Sequence, residues 1–287
     1  MTIQHQWRTV NGVKLHITVA GSGPLLILLH GFPEFWFSWR HQIPVLAEHY
    51  TVVAPDMRGY NESDKPSCVA DYDIQHLVED VVQLVRSFGA ERAIIVGHDW
   101  GGLVAWEVAF RHPQLVEKLI ILNVPHPRLF LQHLITNPRQ LRRSSYVFFF
   151  QLPYLPEALF KANDYAAIEQ SFRRTPVHRE QFSDEVIEQY KQAARRADGL
   201  SGGINYYRAA GRRGLRKVTQ PNPVVEMPTL VIWGEQDVAL GKELNANLEH
   251  YVPRLTLHYI PDAGHWVQQE RPDLVNQYML SFLETNG

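Results

Sequence analysis

The sequence has almost no cysteine, since Cys68 is the single one among its 287 residues. One thiol cannot form a disulfide within the chain, and this favours a reducing, cytoplasmic environment. The stretch from Met1 to Trp7 is polar and lacks the apolar segment of a secretory signal, so we expect no export signal there. The apolar runs elsewhere are too short to cross a bilayer, which argues against a transmembrane segment.

The chain also lacks an excess of charge of either sign. Its 28 lysines and arginines nearly balance its 30 aspartates and glutamates, so no global field attracts nucleic acid or an anionic membrane. Fourteen histidines are present, yet none has the His-x-x-x-His or Cys/His spacing of a metal site. A Gly-x-Gly-x-x-Gly fingerprint and a P-loop are missing as well. The sequence therefore predicts no metal, no cofactor, no nucleic-acid partner and no membrane partner.

What is present is a 45% apolar chain, long enough to bury a large core as one domain with an insertion or as two small domains. Asn11-Gly12 lies between two strand-like segments and predicts a hairpin, and the unbroken apolar run Leu25–Leu29 predicts a strand buried on both faces. Periodicity predicts further strands at 51–54, 93–96, 119–122, 229–233 and 255–259, and helices at 38–48, 73–88, 103–110, 242–248 and 266–283. This alternation predicts an α/β fold with a mostly parallel, doubly wound sheet.

The alternation breaks at Asn123-Val124-Pro125-His126-Pro127. From there to residue 225 the sequence has a helical pattern, is rich in aromatic residues and arginine, and contains no clear buried strand. We predict a helical cap at 126–225, inserted between core segments at 1–125 and 226–287. Such a cap covers the carboxyl ends of the parallel strands, where open α/β sheets bind their ligands.

The most informative motif is Gly97-His98-Asp99-Trp100-Gly101, between a predicted strand and a predicted helix. This order places the turn residue on strained backbone, and side chains at positions 97 and 101 would collide with neighbouring segments. The N-terminus of the following helix stabilises an ionised carboxylate at Asp99. We therefore predict that Asp99 is a covalent nucleophile; an ordinary helix N-cap is the alternative interpretation.

Three further segments are expected to converge on this turn. His30-Gly31-Phe32-Pro33 follows a strand and can place the Phe32 N–H beside Asp99, where it and the Trp100 N–H form an oxyanion hole. Asp237 follows one of the later predicted strands, and His265 follows the last one. The chain order nucleophile, acid, histidine is that of a catalytic triad on this architecture.

On these motifs the chain resembles the α/β-hydrolase family, in its epoxide hydrolase and haloalkane dehalogenase branch, over nearly its whole length. The resemblance rests on His30–Pro33, on Asp56-Met57-Arg58-Gly59-Tyr60 with Ser63-Asp64, and on Asp99, Asp237 and His265 in the family's order. Each motif alone is weak, but five in the right order are specific. The resemblance implies an α/β-hydrolase fold with an inserted helical cap and a hydrolase that needs no cofactor.

The resemblance also implies a mechanism. Asp99 attacks an electrophilic carbon and forms an alkyl ester. His265, oriented by Asp237, then takes a proton from the water that attacks this ester. The resulting oxyanion is stabilised by the backbone N–H groups of Phe32 and Trp100.

The leaving group separates the subclasses, and the cap carries the clue. Epoxide hydrolases hold the epoxide oxygen with two cap tyrosines, and segments 145–151 and 204–208 resemble the stretches that carry them. We assign Tyr146 and Tyr207, with Tyr206 as the alternative to Tyr207; aromatic packing within the cap is the competing interpretation of all three. The substrate pocket is assigned to His30, Pro33, Trp100 and Phe149.

The predicted function is an epoxide hydrolase that converts a small apolar epoxide and water into a vicinal diol. The first alternative is a haloalkane or haloacetate dehalogenase with the same Asp99. Haloalkane dehalogenases usually carry Asn or Glu where Phe32 stands, and fluoroacetate dehalogenases carry arginines where Trp100 and Leu103 stand. A non-catalytic ligand-binding homologue is a further alternative, disfavoured by the intact triad. Monomer and homodimer both stay open.

Overall fold

One eight-stranded sheet organises the computed structural model, which describes residues 2–196, 199–213 and 224–285. The strands are β1 (Gln4–Val10), β2 (Val13–Ala20), β3 (Leu25–Leu29), β4 (Thr51–Pro55), β5 (Ala93–His98), β6 (Val116–Leu122), β7 (Thr229–Gly234) and β8 (Leu255–Ile260). Their order in the sheet is β1-β2-β4-β3-β5-β6-β7-β8. Only the β1–β2 and β2–β4 pairs are antiparallel, which confirms the predicted, mostly parallel sheet.

Helices lie on both faces of this sheet and follow it along the chain. They are α1 (Ile43–Leu46), α2 (Ile74–Ser87), α3 (Trp100–Arg111), α4 (Pro127–Thr136), α5 (Pro138–Arg143), α6 (Ser145–Phe149), α7 (Leu155–Arg174), α8 (Asp184–Arg195), α9 (Gly199–Arg213), α10 (Val267–Glu270) and α11 (Pro272–Thr285). None of these described helices is long and apolar enough to cross a membrane. Helices α4 to α9 fall within the segment 126–225, and its division from a core at 1–125 and 226–287 stays our proposal.

The strands are buried on both sides, as their unbroken apolar runs predict. In β3, Leu26 and Leu28 join one hydrophobic cluster, together with side chains of α1 and α11. Ile27 and Leu29 point to the other face and join the cluster that α2 and α3 complete. The alternation of strand side chains thus divides one apolar run between two cores.

Turn and cap residues set the ends of several elements. Asn11 and Gly12 both have positive φ angles, +45° and +74°, as a two-residue hairpin turn requires. The side chain of Asp73 accepts a hydrogen bond from the Gln75 N–H and so caps α2, close to the predicted start.

Three predicted helices are interrupted. The helix predicted at 38–48 is a 3-10 turn at Trp36–Trp39 followed by the single turn of α1, because Pro44 has no N–H to continue a helix and sits in its first turn. The one predicted at 242–248 is two 3-10 turns, separated by Asn247 with a φ of +63°. The last is divided into α10 and α11, where Pro272 begins the second helix.

Helix α9 lies unusually close to the loops of the sheet. A Cβ atom at Gly202 would be 2.1 Å from the Gly59 carbonyl oxygen, and one at Gly203 would be 2.7 Å from the Phe32 ring. Helices α7 and α8 make a separate, aromatic contact with the loops of the sheet. Phe172 packs there against Trp266, and Tyr190 packs against Phe35. The glycines therefore let α9 approach the segments after β3 and β4.

This contact gives a test of how α9 is seated. Gly202→Ala should destabilise the protein by about 1–3 kcal/mol through overpacking, although alanine favours a helix by about 1 kcal/mol over glycine. The matched control is Gly211→Ala in the same helix, whose Cβ would meet only the end of the exposed Gln151 side chain. Thermal unfolding measures both, and equal midpoints for the two variants would contradict the close packing.

Candidate active site

Asp99 follows β5 directly and begins the turn into α3. Its backbone has a φ of +47° and a ψ of −121°, a conformation that side chains rarely adopt. A Cβ at Gly97 would lie 2.4 Å from the Gly101 carbonyl oxygen, and one at Gly101 only 2.2 Å from that of Leu29. The Asp99 side chain makes no capping hydrogen bond to α3. The strained turn is present, whereas the capping geometry of the alternative interpretation is not.

The segment after β3 lies against this turn. The Phe32 N–H donates a hydrogen bond of 2.8 Å to Asp99 Oδ1, so one of the two predicted oxyanion donors already contacts the carboxylate. The second predicted donor, the Trp100 N–H, belongs to the first residue of α3. That these two N–H groups act as oxyanion donors stays a prediction, and the hydrogen bond from Phe32 to Asp99 supports it.

The three predicted triad residues meet at the carboxyl ends of the strands. His265 Nδ1 lies 2.7 Å from Asp237 Oδ2, and His265 Nε2 lies 3.8 Å from Asp99 Oδ2. The histidine thus stands between the two carboxylates, with one ring nitrogen on each. A water molecule that approaches the Asp99 carboxyl group comes within reach of His265 Nε2.

Asp237 is held by a complete set of hydrogen bonds. Its Oδ1 accepts the N–H groups of Ala239 and Leu240 at 2.8 and 2.9 Å. Its Oδ2 accepts an amide hydrogen of Asn123 at 2.8 Å. Burial acts to raise the pKa of Asp237, but the charge of His265 and these hydrogen bonds outweigh burial, and the net shift is downward. Asp237 therefore carries its negative charge inside the protein.

Two of the residues that support Asp237 could not be assigned from the sequence. Asn123, with a φ of +43° after β6, accepts the Gly234 N–H through its Oδ1, and its position after a strand was the only signal. Gln140 of α5 is fully buried, donates to the Ala239 carbonyl at 2.9 Å and accepts the Gly241 N–H at 3.2 Å. A helix of the proposed cap thereby holds the loop that holds the acid.

His265 is surrounded by negative charge. Burial acts to lower its pKa, but the charge and hydrogen bond of Asp237, followed by the charge of Asp99, raise the pKa of His265 to about 9. Its backbone is fixed as well, because its carbonyl oxygen lies 2.8 Å from His98 Nε2. His98 Nδ1 lies 2.8 Å from a Glu34 carboxylate oxygen. The side chains of Glu34 and His98 are fully buried, and the sequence showed them only as parts of motifs.

A cavity of about 430 Å³ opens beside Asp99. Its wall is mainly apolar and comes from α4, α6 and the loops after β6 and β7, with Trp100 as predicted. Tyr146 and Tyr207 line the same cavity, and their rings lie 5.9 Å apart. Asp99 and both assigned tyrosines therefore face one apolar chamber.

The two assigned tyrosines differ from their neighbour Tyr206. The hydroxyl of Tyr206 donates to the Arg58 carbonyl at 2.8 Å, and its ring is not part of the cavity wall. Within the described residues, the Tyr146 hydroxyl has no hydrogen-bond partner. Burial, and then the charge of Asp99, raises the pKa of Tyr146 and of Tyr207. Both phenols thus stay protonated next to Asp99.

Three of the four predicted pocket residues are elsewhere. His30 is fully buried, and its Nε2 accepts the Met57 N–H at 2.9 Å, so it supports the loop after β4. Pro33 borders a separate small cavity beneath α9. Phe149 packs against Phe150, and its neighbours Val147 and Phe148 line the chamber instead. The prediction was wrong here because a motif's position does not determine where its side chains point.

Metal binding has no counterpart in the part of the chain that the structure describes. No group of three histidine, cysteine, aspartate or glutamate side chains lies close enough there to hold an ion. The polar groups of the site are carboxylates, phenols and one imidazole. This set is suited to covalent and acid–base chemistry. Independence of a cofactor stays a prediction.

Comparisons with known proteins agree with this fold. The family described as "alpha/beta hydrolase fold" matches residues 24–272, so the chain belongs to the α/β-hydrolase family and is a hydrolase. It is 39% identical to the AB hydrolase superfamily protein YfhM of Bacillus subtilis, over 98% of both chains. It is 38% identical to Epoxide hydrolase 4 of Homo sapiens, over 96% of this chain and 76% of that protein.

Solved structures point to the same branch. A variant of an epoxide hydrolase from Bacillus megaterium superposes with a TM-score of 0.92 at 34% identity, over 98% of this chain and all of that one. Another variant, in complex with its product (R)-3-[1]naphthyloxy-propane-1,2-diol, superposes with a TM-score of 0.90 at 32% identity, with the same coverage. These likenesses confirm the α/β-hydrolase fold and the epoxide hydrolase branch of that family.

The raised pKa of His265 predicts a pH-dependent stability. Because the pKa rises from 6.5 to about 9 on folding, the charged histidine contributes stability below pH 6.5 that is lost as the pH rises through 9. The free energy of unfolding should fall by about 3 kcal/mol across this window. Urea unfolding at several pH values measures it. Asp237→Asn should flatten this slope and the exposed-site control Glu249→Gln should keep it; equal slopes in all three proteins would contradict the assignment.

Proposed function

We propose that this protein is an epoxide hydrolase that adds water to an apolar epoxide through a covalent alkyl ester on Asp99 and releases a vicinal diol. One observation carries the proposal: the Asp99 carboxylate and two protonated phenols, Tyr146 and Tyr207, face the same apolar cavity. A nucleophile attacks one end of an epoxide C–O bond while its oxygen needs a donor at the other end. The chamber presents both kinds of group.

The first step is a displacement at carbon. An Asp99 oxygen forms a bond to an epoxide carbon, the C–O bond of the ring breaks, and its electron pair stays on the ring oxygen. Tyr146 and Tyr207 donate hydrogen bonds to this oxygen as its charge develops. The apolar wall excludes water, so these hydrogen bonds act where competing solvent is scarce. The product is a hydroxyalkyl ester of Asp99.

The second step is hydrolysis of this ester. His265 Nε2 takes a proton from water, and the hydroxide attacks the ester carbonyl of Asp99. The backbone N–H groups of Phe32 and Trp100 donate hydrogen bonds to the oxyanion that forms. The Phe32 N–H already donates to Asp99 Oδ1 in the structure. The acyl C–O bond then breaks, the proton of the added hydroxyl group passes to the departing alkoxide, the diol leaves, and the Asp99 carboxylate is restored.

The charge of Asp99 sets when His265 acts as a base. In the resting enzyme this charge, together with Asp237, holds the pKa of His265 at about 9, so the imidazole is protonated at neutral pH. Ester formation neutralises Asp99 and removes that contribution, and the pKa of His265 falls. The first step then balances, because the opened oxygen gains one proton, which comes from His265 in the original protein and from water in a variant that lacks this histidine. The neutral imidazole can then take a proton from water in the second step.

Epoxides fit the chamber better than carbon–halogen substrates. A halide leaving group needs weak donors, and the Phe32 side chain beside Asp99 is a ring packed against Phe150, Phe160 and Tyr207. A volume of about 430 Å³ accommodates an aryl or alkyl substituent on the epoxide. The diol bound to the Bacillus megaterium relative carries such an aromatic group. A panel of epoxides, haloalkanes and fluoroacetate, assayed for diol and halide together, should give diol only.

Two substitutions test the covalent step. Asp99→Asn should abolish diol formation, because the amide is a poor nucleophile. His265→Gln should still form the ester and then stop, so intact-protein mass spectrometry should show a gain equal to the mass of the epoxide. His250→Gln, at an exposed site, is the control and should turn over normally. Normal turnover by His265→Gln would disprove the mechanism.

Tyrosine substitutions test the donors. Tyr146→Phe and Tyr207→Phe should each slow ester formation by roughly 10- to 1,000-fold, because each removes one hydrogen bond to the developing charge. Tyr206→Phe removes the hydrogen bond to the Arg58 carbonyl instead and should leave ester formation nearly unchanged. Stopped-flow kinetics on an epoxide separates this step from hydrolysis. A larger loss in Tyr206→Phe than in Tyr207→Phe would reverse the assignment.

A further inference from the structure

We propose that the segment 126–161 carries a docking face for an anionic lipid bilayer, at the mouth of the active-site cavity. We call it the entrance face and define it by the exposed side chains of Ile135, Arg139, Arg142, Phe148 and Leu152. The proposal concerns binding at the surface of a bilayer, not insertion across it.

The first observation is a concentration of exposed apolar side chains. Among the described residues, twelve large hydrophobic side chains are exposed, and seven of them lie between Ile135 and Leu159. Ile135 is 82% exposed and Phe148 is 61% exposed, values that a side chain packed in a core does not reach. Single exposed hydrophobics are ordinary, but a concentration on one segment marks an interaction surface.

The second observation is the charge of the same segment. Residues 126–161 contain five basic side chains (Arg128, Arg139, Arg142, Arg143 and Lys161) and one acidic side chain, Glu157, which pairs with Arg208. The remainder of the chain then holds 23 basic and 29 acidic side chains. The near-neutral total therefore conceals a basic segment in an acidic protein, and such a segment is attracted to anionic lipid headgroups.

Most of these basic side chains are available for such an interaction. Arg143 is an exception, because its guanidinium lies 3.6 Å from a Glu243 carboxylate oxygen. Arg128, Arg139 and Arg142 are exposed, and no carboxylate in the described ranges pairs with them. Basic groups next to exposed aliphatic and aromatic ones are the combination that holds peripheral proteins at an anionic interface.

The position of the cavity gives this face a use. Phe148 and Gln151 line the cavity and are exposed, so the chamber reaches the surface at the entrance face. Leu134 also lines it, next to Ile135. Apolar epoxides partition from water into lipid, as all apolar solutes do. A protein that rests with this face on a bilayer takes up such a substrate without its passing through water.

A second copy of the chain is the competing occupant, and charge argues against it. Homodimers most often form through a two-fold axis, which places the same face of both subunits together. Two entrance faces in contact would bring Arg139 and Arg142 of one copy towards the same arginines of the other. Like charges at such a contact disfavour association, whereas an anionic bilayer complements them.

Vesicle binding tests the proposal. The full chain should co-sediment with vesicles of phosphatidylcholine containing phosphatidylglycerol as about a third of the lipid, and only weakly with pure phosphatidylcholine. The double variant Arg139→Glu with Arg142→Glu should bind the anionic vesicles at least tenfold more weakly, since each basic residue near the surface contributes roughly a fivefold gain. Ile135→Ser with Leu152→Ser should also reduce binding, through lost apolar burial.

The control is Arg86→Glu with Arg254→Glu, the same change of net charge at exposed positions in the segments that lead to the amino ends of β5 and β8. It should bind vesicles within about twofold of the original protein, because only charges within a Debye length of the bilayer contribute. Equal losses in the two charge variants would overturn the proposal. A protein that does not bind vesicles, but forms a concentration-dependent dimer in sedimentation experiments, would also overturn it if the variant Ile135→Ser with Leu152→Ser no longer dimerised. Binding does not depend on turnover, so Asp99→Asn should bind like the original chain.

Discussion

A close backbone approach between two neighbouring strands governs the candidate active site. β3 and β5 are neighbours in the sheet, with Leu29 paired to Gly97, and the turn after β5 presses against the end of β3. Only glycine at position 101 fits beneath the Leu29 carbonyl, and Asp99 takes up a positive φ as a result. The same approach brings the Phe32 N–H to the Asp99 carboxylate. One steric constraint thus determines the position of the Asp99 carboxylate and of the Phe32 N–H together.

The electrostatics of the site depend on that geometry and extend into the helices above it. Two carboxylates face the single imidazole of His265, and the buried Glu34–His98 pair holds its backbone. Asp237 keeps its charge because four donors, His265 included, compensate its burial. Through Gln140, α5 contacts the loop that supplies two of these donors. The acid therefore depends on a helix far from it in the chain.

Sequence patterns predicted what local chemistry determines. The strands follow from apolar runs such as Leu25–Leu29, and the triad geometry follows from residues that stand directly after strands. The predicted helix bounds differ from the structure where a proline such as Pro44 interrupts the helical hydrogen bonds. The assignment of His30 and Phe149 to the pocket wall differs from the structure, because the direction of a side chain depends on the neighbours that pack against it. Contacts such as that of Gln140 with Ala239 join positions about a hundred residues apart and cannot be seen in a local pattern.

The insertion of α4–α9 between β6 and β7 has a consequence in time. The nucleophile belongs to the first part of the chain to be synthesised, whereas Asp237 and His265 follow the two strands that complete the sheet last. N-terminal units generally fold first on the ribosome. A nascent chain that has reached α9 already has the Asp99 turn and the tyrosines, but no base. The base that turnover requires is therefore added last, with the two strands that complete the sheet.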